Sequence, residues 1–228
     1  MRLYHFPTSP NCLKVRAVAY EIGVALKLDT VNIFNGESRS ATFRALNPNG
    51  LVPVLVDGDF VLWESNAILT YLASRYGSPA LISTDARQRA DIDRWLHWES
   101  AHMGPAIAKV AFERCVKPMF GGTRSNHGAT AAALSAFEAH CRVLETSLGA
   151  KEFVTDSLSV ADFALASSLC SGAMVGLSVG AFSRTTAWLQ RMLERDSLRR
   201  ALADAQLSVS EIYSNATSAG VAAKGIFS

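Results

Sequence analysis

Cysteine is scarce in this chain of 228 residues. Cys12, Cys115, Cys141 and Cys170 are its only four, and no two stand in CxxC or Cys/His ligand spacing. That excludes a zinc site of the usual spacings and a disulfide framework. Charge is sparse too. Asp, Glu, Lys and Arg make up 18% of the residues, and 22 basic against 20 acidic side chains leave a net +2. So small an excess offers no electrostatic case for nucleic acid or for an anionic membrane surface. The opening MRLYHFPTSP lacks the apolar run of a secretory signal. The closing GIFS is neither a retention nor a prenylation signal. The expectation is a soluble cytoplasmic protein with no metal. Hydrophobic residues, by contrast, reach 49%, which excludes global disorder and supports a sizeable core in one large or two small domains.

One uncharged run tests that expectation. Residues 163–182 match the length of a bilayer span and carry Gly172, Gly176 and Gly180 at GxxxG spacing. Its serines and glycines weaken its hydrophobicity, Asp162 sits at its edge, and no dense Lys/Arg cluster flanks it. The pattern predicts a buried core helix with a Gly-rich exit.

The chain divides into two unlike parts. Residues 1–78 alternate strand and helix signals in the order βαβαββα. Residues 10–23 predict a helix with Val15, Val18, Ala19 and Ile22 on one face and Gly23 as its stop. LVPVLV and FVLW flank Asp57-Gly58, a hairpin signal of the I′ type. Residues 65–76 predict another helix, stopped by Gly77. From residue 85 only helical periodicity appears, beginning with one long helix over 85–119, kinked at Gly104-Pro105. The expected domains are 1–78 and 85–206, with a linker over 78–84 and a tail over 207–228.

Three sites carry chemistry. In Thr8-Ser9-Pro10-Asn11-Cys12, Ser9 suits an N-cap and Pro10 the first helical position. The loop therefore ends on free backbone donors and a positive dipole, where a thiolate would be stabilised. Pro53, in NPNGLVPVL, opens a strand, and a cis Val52-Pro53 bond would turn the Val52 backbone toward a ligand. In Trp63-Glu64-Ser65-Asn66, Ser65 again suits an N-cap. Its hydroxyl and the following N–H groups suit a carboxylate, and Glu64 suits an ammonium. The plain alternatives are ordinary caps and an ordinary edge-strand proline.

Taken in order, the SPNC loop, NPNGLVPVL and WESNAI resemble the thioredoxin-like amino-terminal domain of cytosolic glutathione S-transferases, in their serine-type, theta-like and bacterial branches. Ser159-Val160-Ala161-Asp162, a capping-box variant, is similar too. The likeness covers about residues 1–206 and implies an α/β thioredoxin-like domain followed by an all-α domain. By this resemblance Ser9 is the catalytic hydroxyl facing the glutathione sulfur, and Cys12 is a rival thiol. Val52 before Pro53 meets the cysteinyl part, and Glu64 with Ser65 the γ-glutamyl end. Some serine-type members place histidines at positions that match Ser38 and Gly50; Arg39 is the candidate substitute for the glycyl end.

The electrophile is expected between the domains against the long helix, with Trp98, His102, Ile107 and Phe112 as candidates; helix-core packing is the plain alternative. The implied activity is conjugation of glutathione, a co-substrate, to small apolar electrophiles in detoxification, by a homodimer. The alternative is a non-catalytic relative that binds ligands or protein partners.

Overall fold

The structure is a computed structural model that describes residues 1–77, 81–121 and 126–217. Three expectations fall partly outside these residues: the start of the linker, the centre of the loop around 121–128, and the tail beyond 217.

The first domain is built on four strands, β1 (Arg2–His5), β2 (Lys27–Thr30), β3 (Val54–Asp57) and β4 (Phe60–Trp63), in the order β2-β1-β3-β4. β1 runs parallel to β2 and antiparallel to β3, and β3 antiparallel to β4. Helices α1 (Pro10–Glu21), α2 (Ala41–Leu46) and α3 (Ser65–Tyr76) join them. The βαβαββα order is as expected. The hairpin is not: Asp57 pairs with Phe60, so the two-residue loop is Gly58-Asp59. Only Gly58 of that pair has positive φ, the pattern of the II′ class rather than I′.

The second domain opens with α4 (Ala86–Trp98), α5 (Gly104–Ala111) and α6 (Lys117–Met119), which run on as one helix through π-helical segments Glu99–Met103 and Phe112–Val116. Each π segment lies just before a proline, Pro105 or Pro118. A proline lacks the N–H and crowds the carbonyl four residues back, so the ladder widens there. Then come α7 (His127–Leu148), α8 (Val160–Met174), α9 (Ser183–Leu193), α10 (Asp196–Ala203) and α11 (Val209–Thr217).

α8 is the core of this domain, with all but one of its residues buried. The Ser159/Asp162 capping box starts it, and Asp162 also accepts from Trp188 Nε1 at 2.9 Å. Gly176 ends it in a Schellman arrangement: Leu177 N–H bonds Gly172 O at 2.9 Å, and Gly176 N–H bonds Ala173 O at 3.1 Å. That glycine holds φ +77°, so the GxxxG spacing is a helix stop, not a membrane dimer face. Among the described residues no helix is long and apolar enough to cross a membrane. The expected tail is corrected in part. α11 packs on α8 and α9, with Ile212 buried and Tyr213 bonded to Gln190.

α1 lies between the sheet and the second domain, packed on α3 to one side and on α8 and α10 to the other. Lys14 and Arg16, which a single apolar face would leave in water, are therefore buried. Arg16 Nη2 donates to Pro7 O at 2.8 Å and to Ala201 O at 3.0 Å, and Nη1 lies 3.0 Å from His5 Nδ1. A guanidinium can only donate, so Nδ1 accepts and the His5 ring is neutral.

Burial and the Arg16 charge lower the His5 pKa from 6.5 to about 4. As pH falls below 6.5, the unfolded chain binds a proton there that the native chain does not. Stability should therefore fall between about pH 6.5 and 4, by on the order of 3 kcal/mol from this group. Denaturant unfolding at pH 7 and 4.5 should show the native chain losing more than His5→Asn. Equal losses would remove His5 from the account.

Candidate active site

A cleft of about 1200 Å³ lies between the domains, and the N-termini of α1 and α3 both open on it. Ser9, Pro10 and Asn11 line it from one side, Glu64, Ser65 and Asn66 from the other. Two positive helix ends thus converge on one space, which suits an anionic ligand.

Ser9 is the backbone N-cap of α1, its C=O accepting from Cys12 and Leu13 N–H at 3.0 and 2.8 Å. Its side chain makes no capping bond; Ser9 lines the cleft wall, and its hydroxyl bonds the Cys12 sulfur. Cys12, the rival thiol, does not line the cleft. It is fully buried, accepts from Phe6 N–H at 3.4 Å, and burial pushes its thiol up. Its position one turn inside the helix turns it into the core.

At α3 the N-cap is Glu64, not Ser65, which is the first helical residue. The Ser65 hydroxyl donates to Asn11 Oδ1 at 3.2 Å, tying the two helix starts together. Glu64 is exposed and holds φ 71°, ψ 109°. Such a conformation at a non-glycine residue costs about 1–3 kcal/mol and persists where its surroundings over-determine it, typically around ligands.

The Val52-Pro53 bond is cis. Val54 pairs with both Tyr4 and Trp63, so the strand register sets this bond between the end of β1 and Glu64. Val52 is half-buried and Pro53 buried; neither they nor the exposed Arg39 form the cleft wall itself. The departure at Gly50 has a steric cause. This residue holds φ +65°, and a Cβ there would meet Ser38 O at 2.8 Å, so a histidine does not fit without a backbone shift.

The apolar half of the cleft lies against α5. Ile107 and Phe112 line it. Trp98 and His102 do not. They turn to the opposite side of the helix, with ring centroids 5.6 and 5.5 Å from His140 of α7. The cleft face runs instead through His97, Ser100, Gly104, Ala108 and Ala111. Apolar residues occur on both faces of this helix, so composition does not distinguish them. Phe34, after β2, closes the rim, 5.3 Å from Phe6 and 6.4 Å from Phe120 of the other domain.

Sequence reading missed the cleft floor. Lys14 Nζ donates to Glu99 Oε2 at 2.9 Å and to Asn66 Oδ1 at 2.8 Å; Ser168 donates to Glu99 Oε1 at 2.6 Å. Asn66 also donates to Leu96 O at 2.8 Å. Burial lowers the Lys14 pKa and the Glu99 charge opposes that. The one available signal was a lysine and an arginine inside an otherwise apolar first helix. Among the described residues no three potential ligands cluster as for a metal ion.

This is a two-domain ligand-binding scaffold, with an α/β domain offering two helix N-termini and a helical domain offering an apolar wall. The family model for the glutathione S-transferase N-terminal domain matches residues 3–80, and that for the C-terminal domain residues 106–196. "Probable glutathione S-transferase GSTF2" of Oryza sativa subsp. japonica is 30% identical over 203 residues, 88% of this chain and 94% of that protein. A shorter match to "Glutathione S-transferase 3" of Zea mays is 40% identical over 124 residues, 54% of this chain and 55% of that protein. The theta class enzyme of Xanthomonas axonopodis pv. citri, solved with glutathione bound, superposes with a TM-score of 0.80 at 30% identity. That match covers 88% of this chain and 95% of that one.

The chain belongs to the glutathione S-transferase family. It is a transferase with a thioredoxin-like first domain and a helical second domain, and the family's co-substrate is glutathione.

Proposed function

We propose that this chain joins the sulfur of glutathione to small apolar electrophiles, with Ser9 as the catalytic hydroxyl. The observation that carries the reading is the meeting of Ser9, Glu64 and Ser65 on one cleft whose opposite wall is apolar. In this reading the thiol sits at the mouth of α1, donates its proton to solvent, and the thiolate accepts from Ser9. The γ-glutamyl carboxylate takes the Ser65 hydroxyl and the first N–H groups of α3, and its ammonium faces Glu64. The Val52 backbone, ahead of Pro53, pairs with the cysteinyl part, and Arg39 serves the glycyl carboxylate. Ile107 and Phe112 bound the electrophile.

The chain divides into a first domain over 1–78 and a second that runs from 85 through α11, works in the cytoplasm in detoxification, and pairs as a homodimer. Support for pairing is the open edge strand β4, which exposes Phe60, Val61 and Trp63. Calorimetric titration with glutathione, followed by rates with a panel of aryl and alkyl electrophiles, tests the reading. Saturable binding at or below millimolar concentration with turnover of apolar members is expected. No binding at that level would refute it.

A further inference from the structure

We propose that Arg16 is a positioning residue for the sulfur chemistry: it pins the loop that carries Ser9 and sets beneath it a positive charge that favours the bound thiolate. The inference deepens the glutathione reading above and rests on it.

Arg16 is fully buried and does not line the cleft, so it acts through the loop and through its field, not by touching substrate. Its bond to Pro7 O grips the loop two residues before Ser9, and its bond to Ala201 O anchors that loop to α10 of the other domain. What stands out is the absence of a direct ion pair. None of the ion pairs among the described residues includes Arg16, and its Nε has no partner among them. Lys14, on the same helix, is neutralised by Glu99. A buried charge without a direct partner is costly, so an anion bound nearby is favoured by it.

Of the surrounding titratable groups, one carboxylate, Asp204, acts on Arg16 without a direct ion pair. His5 on β1 is neutral above about pH 4 and accepts from Arg16. On α1, Cys12 is a buried thiol and Tyr20 a phenol. Asp204, following α10, is the carboxylate whose charge offsets part of the burial cost of Arg16; the Tyr20 hydroxyl donates to it without removing that charge. Asp29 on β2 pairs with Arg2, while Glu64 and Glu99 face Lys14. The field of Arg16 does reach the Ser9 turn, because it opposes the burial that pushes the Cys12 thiol up. A unit charge about 10 Å from a sulfur, at an effective dielectric of about 20, lowers its pKa by about one unit.

The test compares the native chain with Arg16→Met and Arg16→Lys. Thiolate absorbance of bound glutathione gives the thiol pKa, and conjugation rates are followed from about pH 6 to 9. Arg16→Met should raise the bound thiol pKa by about one unit. The rate should then fall about tenfold near pH 6.5 and approach the native rate near pH 9, with kcat affected more than KM. Arg16→Lys keeps the charge and should keep the native thiol pKa. A folded, glutathione-binding Met variant with an unmoved thiol pKa would overturn the proposal. So would a Lys variant shifted as far as the Met one, and if the Met variant does not fold, a shifted Lys variant alone suffices. Failure of the native chain to take up glutathione overturns the functional reading itself, and this inference with it.

Discussion

Ser9→Ala is expected to cut glutathione turnover at least tenfold while leaving glutathione affinity nearly unchanged. A free thiol with a pKa of about 8.5 is only about 3% thiolate at pH 7. The proposed hydrogen bond from Ser9 to the charged sulfur would contribute roughly 1.5–3 kcal/mol, or about one to two pK units. Nucleophilicity falls as the pKa falls, so the gain in rate is smaller than the gain in thiolate. In the proposed reading affinity is carried elsewhere, by the tripeptide's contacts along Val52, Glu64 and Ser65. Cys12→Ser should change little, because that thiol is fully buried. Steady-state kinetics with a chromogenic electrophile measures both variants. Turnover that survives Ser9→Ala and disappears in Cys12→Ser would move the chemistry to the cysteine.

The second large effect is on stability. Lys14→Met should destabilise the fold by about 3–5 kcal/mol, because it leaves the Glu99 carboxylate buried and without its cation. The pair is 2.9 Å apart, and both side chains are almost wholly inaccessible. For a chain of this size the loss corresponds to a fall in Tm of about 6–20 °C. Lys14→Met combined with Glu99→Leu should recover much of it, since a well-packed apolar pair often equals a buried ion pair. Thermal unfolding of the single and double variants decides the matter. A single variant melting with the native chain would show that the charge on Glu99 is relieved in some other way.

The two effects separate what local pattern can reveal from what it cannot. The elements of the first domain were legible because their signals are local. Ser9-Pro10 opens a helix and Gly23 closes one, and alternation around Pro53 marks a strand. The candidate site was legible for the same reason. Ser9 and Ser65 stand at strand-to-helix turns, and such turns in a small α/β unit face the same edge of the sheet. Errors arose where a one-residue shift matters. The hairpin loop moved from Asp57-Gly58 to Gly58-Asp59, and the cap of α3 from Ser65 to Glu64. On the long helix, Trp98 and His102 faced α7 instead of the cleft. Helical periodicity marks apolar faces but does not say which partner each will meet.

From its own order of residues the chain determined where helices start and stop, which segments pair as strands, and that a hydroxyl stands at the first helix mouth. Only the tertiary structure decided that Lys14 and Arg16 are buried, that Cys12 is shut away, and which face of the long helix lines the cleft. The reason is distance along the chain. Lys14 meets Glu99 across 85 residues and Arg16 meets Ala201 across 185. A helix pattern records one buried face, whereas the covering of a second face depends on segments that no local window contains.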